Sequence, residues 1–279
     1  MAVRPIDVEH MSLSELPEDV QQIVCQQLFD ASDLARLAVC SRACRSMVSG
    51  PTLWQSLLVN RFGEDALRDN SSFNSAALRA LYIRKSRTIV PALEIGAVHL
   101  GTQHLTHEQR ADSTFGQVLL LRSVCWLDLQ AKFYGVMPGN YEIIWRTMKV
   151  TTGNVGLANS PVVASIDTLK VQSSVSCLDE KEKPDTCHMQ LDMQQFNELP
   201  TGHWVDVPLG RLRVDHFSDV SSRLWCHSGD WKQGLAWDSV TLKDLSRRDQ
   251  HRVASLAASS VAPLVRAGRQ AADAACILQ

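Results

Sequence analysis

At residue 88 the apolar pattern of this 279-residue chain changes period, and that change constrains the fold more than any other feature. Before it, apolar residues recur every three or four positions, the spacing of one helix face. After it, they alternate with polar residues, the spacing of a strand with one buried face. A chain of this length has room for about two domains. The expected fold is therefore α+β in two domains, a small all-α helical module followed by an antiparallel β-sandwich.

The helical signal is strongest over residues 16–58. Pro17 suits a first helical turn, where its missing N–H is not needed, and Glu18 and Asp19 favour a helix N-terminus. Val20, Ile23, Val24 and Leu28 share one face. Ser32 or Asp33 can cap a second helix carrying Leu34, Leu37 and Ala38. Gly50-Pro51 breaks the chain, and Thr52 can cap a third helix with Leu53, Trp54, Leu57 and Leu58. Three helices in so short a span make a core that is marginal alone. Apolar surface left over would fit a module completed by a partner. Residues 61–87 read as a connector, with a helix through Ala76, Ala77, Leu78, Leu81 and Tyr82 that ends on Arg84, Lys85 and Arg87.

In the second half, Cys125, Leu127, Leu129, Ala131 and Phe133 alternate with Trp126, Asp128, Gln130 and Lys132. Met137-Pro138-Gly139-Asn140 supplies turn residues, and Tyr141–Val150 reads as the return strand. Alternation recurs at Met189–Met193 and Val205–Leu209, where Pro208 marks a strand edge or end, and Leu235–Leu242 can close the set. Residues 151–187, rich in Ser, Thr and Asn, are expected to hold weak strands at most.

A net charge of -2 and the lack of a basic patch interleaved with aromatics argue against nucleic acid as a partner. The N-terminal residues lack the apolar core of a secretory signal, and no apolar run approaches a membrane span. The eight cysteines form no CxxC pair, which fits a reducing compartment. Cys177, Cys187-His188 and Cys226-His227 do not have the spacing of a zinc module, so no metal and no cofactor are expected. P-loop, HExxH and GxSxG signatures are absent. No catalytic residue is assigned, and the chain is expected not to be an enzyme.

The ordered anchors Leu16-Pro17, Val20 to Leu28, Asp33-Leu34, Leu37 and Leu53-Trp54 resemble an F-box. The resemblance implies docking on the Skp adaptor, and through it a cullin, of a ubiquitin ligase. The adaptor-binding residues it implies are Leu16, Pro17, Ile23, Leu28, Leu34, Leu37, Leu53 and Trp54. Cys44 stands where that family usually has a bulky aromatic, a change that weakens the adaptor contact or repacks it.

Three further blocks resemble the phloem protein 2 family of plant lectins: Ser113-Thr114-Phe115-Gly116 through Leu129, Gly202–Gly210, and Trp231–Leu235 followed by Val240. With a weaker start at Ile89–Leu100, they span residues 88–243. The resemblance implies a jelly-roll-like sandwich that binds oligosaccharide. Sugar binding needs an exposed aromatic ring for an apolar sugar face and polar groups for the hydroxyls. The family usually has tryptophans in its first strand and following loop, but residues 89–115 contain none; His99, His104 and His107 lie there instead. Simple chitin oligomers are therefore expected to bind weakly. Trp225, Asp230 and Trp231 form the candidate carbohydrate-binding cluster, against the alternative that Trp231 is a core residue of a closing strand. Trp126 and Trp204 read as packing residues.

The division expected is a tail (1–15), F-box (16–60), connector (61–87), sandwich (88–243) and C-terminal tail (244–279). The function implied is a substrate receptor of a Skp–cullin–F-box ligase that binds a protein or glycoprotein target. The alternative is a lectin for which ubiquitination is incidental. The last four residues, Cys276-Ile277-Leu278-Gln279, form a C-a-a-X box, so Cys276 is a candidate for prenylation. Cytoplasmic or nuclear residence with reversible membrane association is the matching expectation.

Overall fold

The structure is a computed structural model, and it describes residues 13–28, 30–68, 74–153, 155–156, 162–170, 185–191 and 194–245. The helical half begins with α1 (Glu18–Gln26), opened by Pro17, whose carbonyl accepts from the Gln21 N–H at 2.9 Å. In α2 (Ala31–Cys40) the cap is Asp30, not Ser32 or Asp33; its carboxylate accepts from the Ser32 N–H at 2.8 Å. The sequence reading of three helices in this span is corrected to four. Ser41 caps an additional helix, α3 (Arg42–Ser49), by accepting from the Cys44 N–H at 3.0 Å. Its apolar face is short, which hid it from a periodicity reading. Gly50 then caps α4 (Pro51–Phe62), so Thr52 lies inside the helix and Pro51 takes the first turn.

The connector helix α5 (Ser75–Lys85), capped by Asn74, is part of the helical core. Its Leu78, Leu81 and Tyr82 pack with Cys25, Leu34, Val48, Leu53, Trp54, Leu57 and Leu58. Trp54 is 1% exposed, donates its indole N–H to the Val48 carbonyl at 2.8 Å and meets the Tyr82 ring edge-on at 5.6 Å. Cys44 is also buried.

The second half is two antiparallel sheets packed face to face. The first contains β1 (Ile89–Pro91), β3 (Leu105–Gln109), β4 (Gln117–Leu121), β6 (Gly139–Lys149), β9 (Trp204–Val214) and β11 (Leu235–Asp244). Its order is β3-β4-β11-β6-β9, with β1 also on β11. The second contains β2 (Gly96–Ala97), β5 (Leu127–Val136), β7 (Val162–Lys170), β8 (Asp185–Leu191) and β10 (Ser218–Cys226), in the order β2-β5-β10-β7-β8. A short helix, α6 (Gln194–Asn197), lies between β8 and β9.

The period-two expectation for β5 holds: Leu127, Leu129, Ala131 and Phe133 are buried, and Asp128, Gln130 and Lys132 face outward. Trp145 of β6 is buried, and its indole N–H donates to Ser222 Oγ of β10 at 3.0 Å, a polar tie across the core. The expectation of at most weak strands in residues 151–187 is corrected. The nine-residue β7 pairs along its length with β10 and also with β8. Its buried residues are Ala164, Ser165 and Ile166, too small and mixed a set to stand out from the Ser/Thr-rich surroundings. Among the described residues, no helix is long and apolar enough to cross a membrane.

The two halves meet where the end of α4 touches the end of β5. Arg61 is buried, donates its Nε–H to the Gly135 carbonyl at 2.8 Å and reaches the Tyr82 hydroxyl at 3.2 Å. Gly135 has φ +51, and a Cβ there would fall 2.6 Å from the Phe62 ring and 2.7 Å from the Arg61 carbonyl. Only glycine allows so close an approach. The Gly135 N–H is held by the Asp219 carboxylate at 2.8 Å, whose pKa burial raises.

Candidate functional site

The exposed tryptophans of the sandwich, Trp126 and Trp231, lie where β5 begins and β10 ends. Two loops are tied there by a bridge between Val124 and Lys232, whose backbone groups exchange bonds of 2.7 and 2.8 Å. The Lys232 side chain is completely buried. A buried ammonium is stable only when its protons are satisfied, and Nζ donates to the Cys125 carbonyl, the Ser228 carbonyl at 2.8 Å and Ser228 Oγ at 2.7 Å. The neighbours of this locked pair point outward: Trp126 is 55% exposed and Trp231 is 59% exposed.

Trp126 donates its indole N–H to the His227 carbonyl at 2.9 Å. The His227 ring sits between two indoles, 5.0 Å from Trp126 and 4.9 Å from Trp225. The Arg223 guanidinium lies 5.6 Å from the Trp225 ring centroid and pairs with Asp128 through two bonds. His227 Nε2 is 3.5 Å from the same carboxylate. Hydrogen bonding to Arg223, the largest cause, holds the Asp128 carboxyl below its usual value. Trp231 has the His104 ring 6.4 Å away, and Asp230 beside it is exposed. Beneath the loop, Gly156 has φ +77, and a Cβ there would fall 1.7 Å from the Trp231 carbonyl oxygen, so this glycine sets the height of the Trp231 loop.

Exposure of Trp231 overturns its reading as a core residue, and exposure of Trp126 overturns its reading as a packing residue. The missed signal for Trp126 was its phase: it shares parity with the outward-facing Asp128, Gln130 and Lys132. Of His99, His104 and His107, His104 joins this surface. His107 Nε2 lies 3.2 Å from the Ala92 carbonyl, and His99 is exposed with φ +68. In the cysteine-histidine set weighed as a zinc site, Cys226 is buried in the core and Cys177 lies outside the described residues.

A surface of indoles set beside histidine rings and carboxylates can hold a flat, partly apolar, hydroxyl-rich ligand. The Asp128–Arg223 pair is part of its frame. Asp128 has a lowered folded pKa, so its stabilising contribution is complete above the usual carboxylate value of about 4. That contribution is lost as pH falls through the lowered value. Thermal unfolding of wild type and Asp128→Asn is expected to differ at neutral pH and to converge in acid. A gap independent of pH would contradict this role.

The helical half places its sequence-assigned residues in two groups. Leu34, Leu53 and Trp54 are buried, so direct adaptor contact by these three is corrected to a role in shaping the helices. Leu16, Leu28 and Leu37 are half-buried, whereas Pro17 is exposed and Ile23 is 56% exposed. Val24 on α1 and Val39 on α2, not assigned from sequence, are also exposed.

The Phloem protein 2 family pattern matches residues 91–243, more than half of the chain. The chain belongs to the phloem protein 2 family. The F-box-like pattern matches residues 13–60, ahead of this family domain. No curated protein matches the chain. Among solved structures, a family 35 carbohydrate-binding module from Clostridium thermocellum is similar at 14% identity and TM-score 0.34 over 55% of this chain and 95% of that one. A GH26-CBM35 β-(1,4)-mannanase of Podospora anserina is similar at 7% identity and TM-score 0.32 over 58% of this chain and 28% of that one. The two-sheet architecture rests on the strand pairings themselves.

Proposed function

We propose that this phloem protein 2 chain is the substrate receptor of a Skp–cullin–F-box ubiquitin ligase. Its helical half, with residues 16–60 as the F-box and 61–87 as the connector, docks on the Skp adaptor. Its sandwich, residues 88–243, binds a glycan-bearing target. The observation that carries the reading is the pairing, in one chain, of an F-box-like domain with a sandwich whose exposed end is built of indoles. Covalent chemistry belongs to the assembled ligase; this chain supplies position, raising the effective concentration of target near the conjugating enzyme.

Glycan-array binding by the full chain tests the receptor half. Each stacking indole contributes about 1–2 kcal/mol. Trp126→Ala and Trp231→Ala are therefore each expected to weaken the best array ligand about ten-fold. Chitin oligomers are expected to bind more weakly than micromolar by calorimetry, since histidines replace the family's first-strand tryptophans. Array binding unchanged in the double variant would remove the aromatic end from the account.

Cys276 lies outside the described residues, and its prenylation is part of the proposal. One lipid chain gives reversible membrane binding, consistent with a protein shared between cytosol or nucleus and membrane. Intact mass is expected to show a farnesyl increment in wild type and none in Cys276→Ser. Equal masses apart from the substitution would end the lipid proposal.

A further inference from the structure

Between the helical half and the sandwich lies a cleft of ≈ 710 Å³ that neither adaptor nor glycan binding uses. Its apolar walls are Ile83 of α5, Ile89 of β1, Phe115 of the β3–β4 loop, Tyr134 of β5, Met137 and Leu242. Ile83, Ile89, Phe115 and Tyr134 are exposed. Single exposed apolar residues are ordinary, but large ones gathered at one opening mark a contact surface. The cations around it are engaged: Arg87 with Glu94 at 2.5 and 2.9 Å, Lys243 with Glu142 at 3.4 Å, and Arg61 with the Gly135 carbonyl. At its base, burial pushes the Tyr141 phenol up to about 12, and its hydroxyl already donates to the Met137 carbonyl. Such walls take an apolar occupant.

The chain itself supplies one. Asp244, the last residue of β11, lines the cleft, and the Leu245 N–H donates to the Asn140 carbonyl at 2.9 Å. Residues 246–279 therefore depart from the rim of this cleft. Within them Val253, Leu256 and Ala257, then Val261, Leu264 and Val265, repeat the three- and four-residue spacing of an apolar face, broken or restarted at Pro263. Val253 is eight residues beyond Leu245, a reach of up to about 26 Å when extended. A tether this short gives an effective concentration of about a millimolar, so a contact too weak to hold a free peptide stays occupied.

We propose that residues 253–265 dock their apolar side chains in the cleft as an intramolecular strap. The cleft is walled by both halves, with Asp30 and Ala31 of the helical side opposite the sandwich residues, so the strap touches both. Occupancy covers the exposed rings of Phe115 and Tyr134 and adds a further tie between the halves beside the Arg61 contact. It requires neither adaptor nor glycan.

Photo-crosslinking in the full chain decides it. p-Benzoylphenylalanine at Tyr134, and in a second variant at Phe115, replaces one exposed ring with another, and unchanged thermal unfolding confirms the fold. Irradiation is expected to yield crosslinks within the monomer to peptides from 253–265. A Leu256→Asp/Val261→Asp/Leu264→Asp chain is expected to lower that yield about ten-fold, the loss of a weak tethered contact. No crosslink to 253–265 at either position, crosslinks formed only between two copies, or a yield unaffected by the three aspartates would overturn the proposal.

Discussion

A Gly135→Ala chain is expected to lose the joint between its two halves and to unfold at a lower temperature than wild type. The added Cβ would fall 2.6 Å from the Phe62 ring and 2.7 Å from the Arg61 carbonyl oxygen. The ring can rotate, but the carbonyl belongs to α4 and moves only with the helix. Relief of the clash therefore separates α4 from β5 and breaks the 2.8 Å bond from Arg61 Nε to the Gly135 carbonyl. Alanine is also strained at φ +51. Overpacking, backbone strain and the loss of a buried hydrogen bond act together, so the expected loss is about 3–5 kcal/mol.

Arg61→Met separates these causes. It keeps an aliphatic stem and adds no clash, but leaves the Gly135 carbonyl and the Tyr82 hydroxyl without this donor, at about 1–3 kcal/mol. Because two domains are present, calorimetry is expected to show the helical transition moving below that of the sandwich, not one shifted peak. A Gly135→Ala chain that melts as wild type does would show that the halves are not held by this contact. In the proposed receptor the joint bears on function, because a target held on a loosely hinged sandwich would spend less time near the conjugating enzyme.

Much of this architecture was legible in the sequence. The alternation of Leu127 to Phe133 marked β5 and its inner face, and the Leu-Pro and Leu-Trp anchors marked the helical span. Elements that lack a long apolar face were harder to read. The helix α3 is announced by Ser41, whose capping role shows only in its bond to Cys44, and β7 lies inside its sheet, between β10 and β8, yet is built around Ala164 and Ser165. The candidate site was legible only in part. Trp225 and Trp231 were singled out by residue type, but Trp126 needs the strand register, and His227 needs the Val124–Lys232 bridge that brings the two loops together. The burial of Lys232 is harder to read, because one of its three acceptors, the Cys125 carbonyl, lies 107 positions away. The contact of Arg61 with Gly135, 74 positions apart, is a property of packing alone.

Binding of the full chain to a Skp adaptor, measured by calorimetry, tests the account most directly. Ile23 and Val24 are exposed on α1, while Leu34, Leu53 and Trp54 fill the core beneath. Charge placed at the two exposed positions therefore removes apolar contact without removing the fold. Each such side chain contributes about 1.5–3 kcal/mol when buried by a partner. The account predicts a one-to-one complex for wild type and a loss of about a hundred-fold or more for Ile23→Asp/Val24→Asp, with the circular dichroism of the variant unchanged. No complex with wild type, or equal affinity in the two chains, would contradict it.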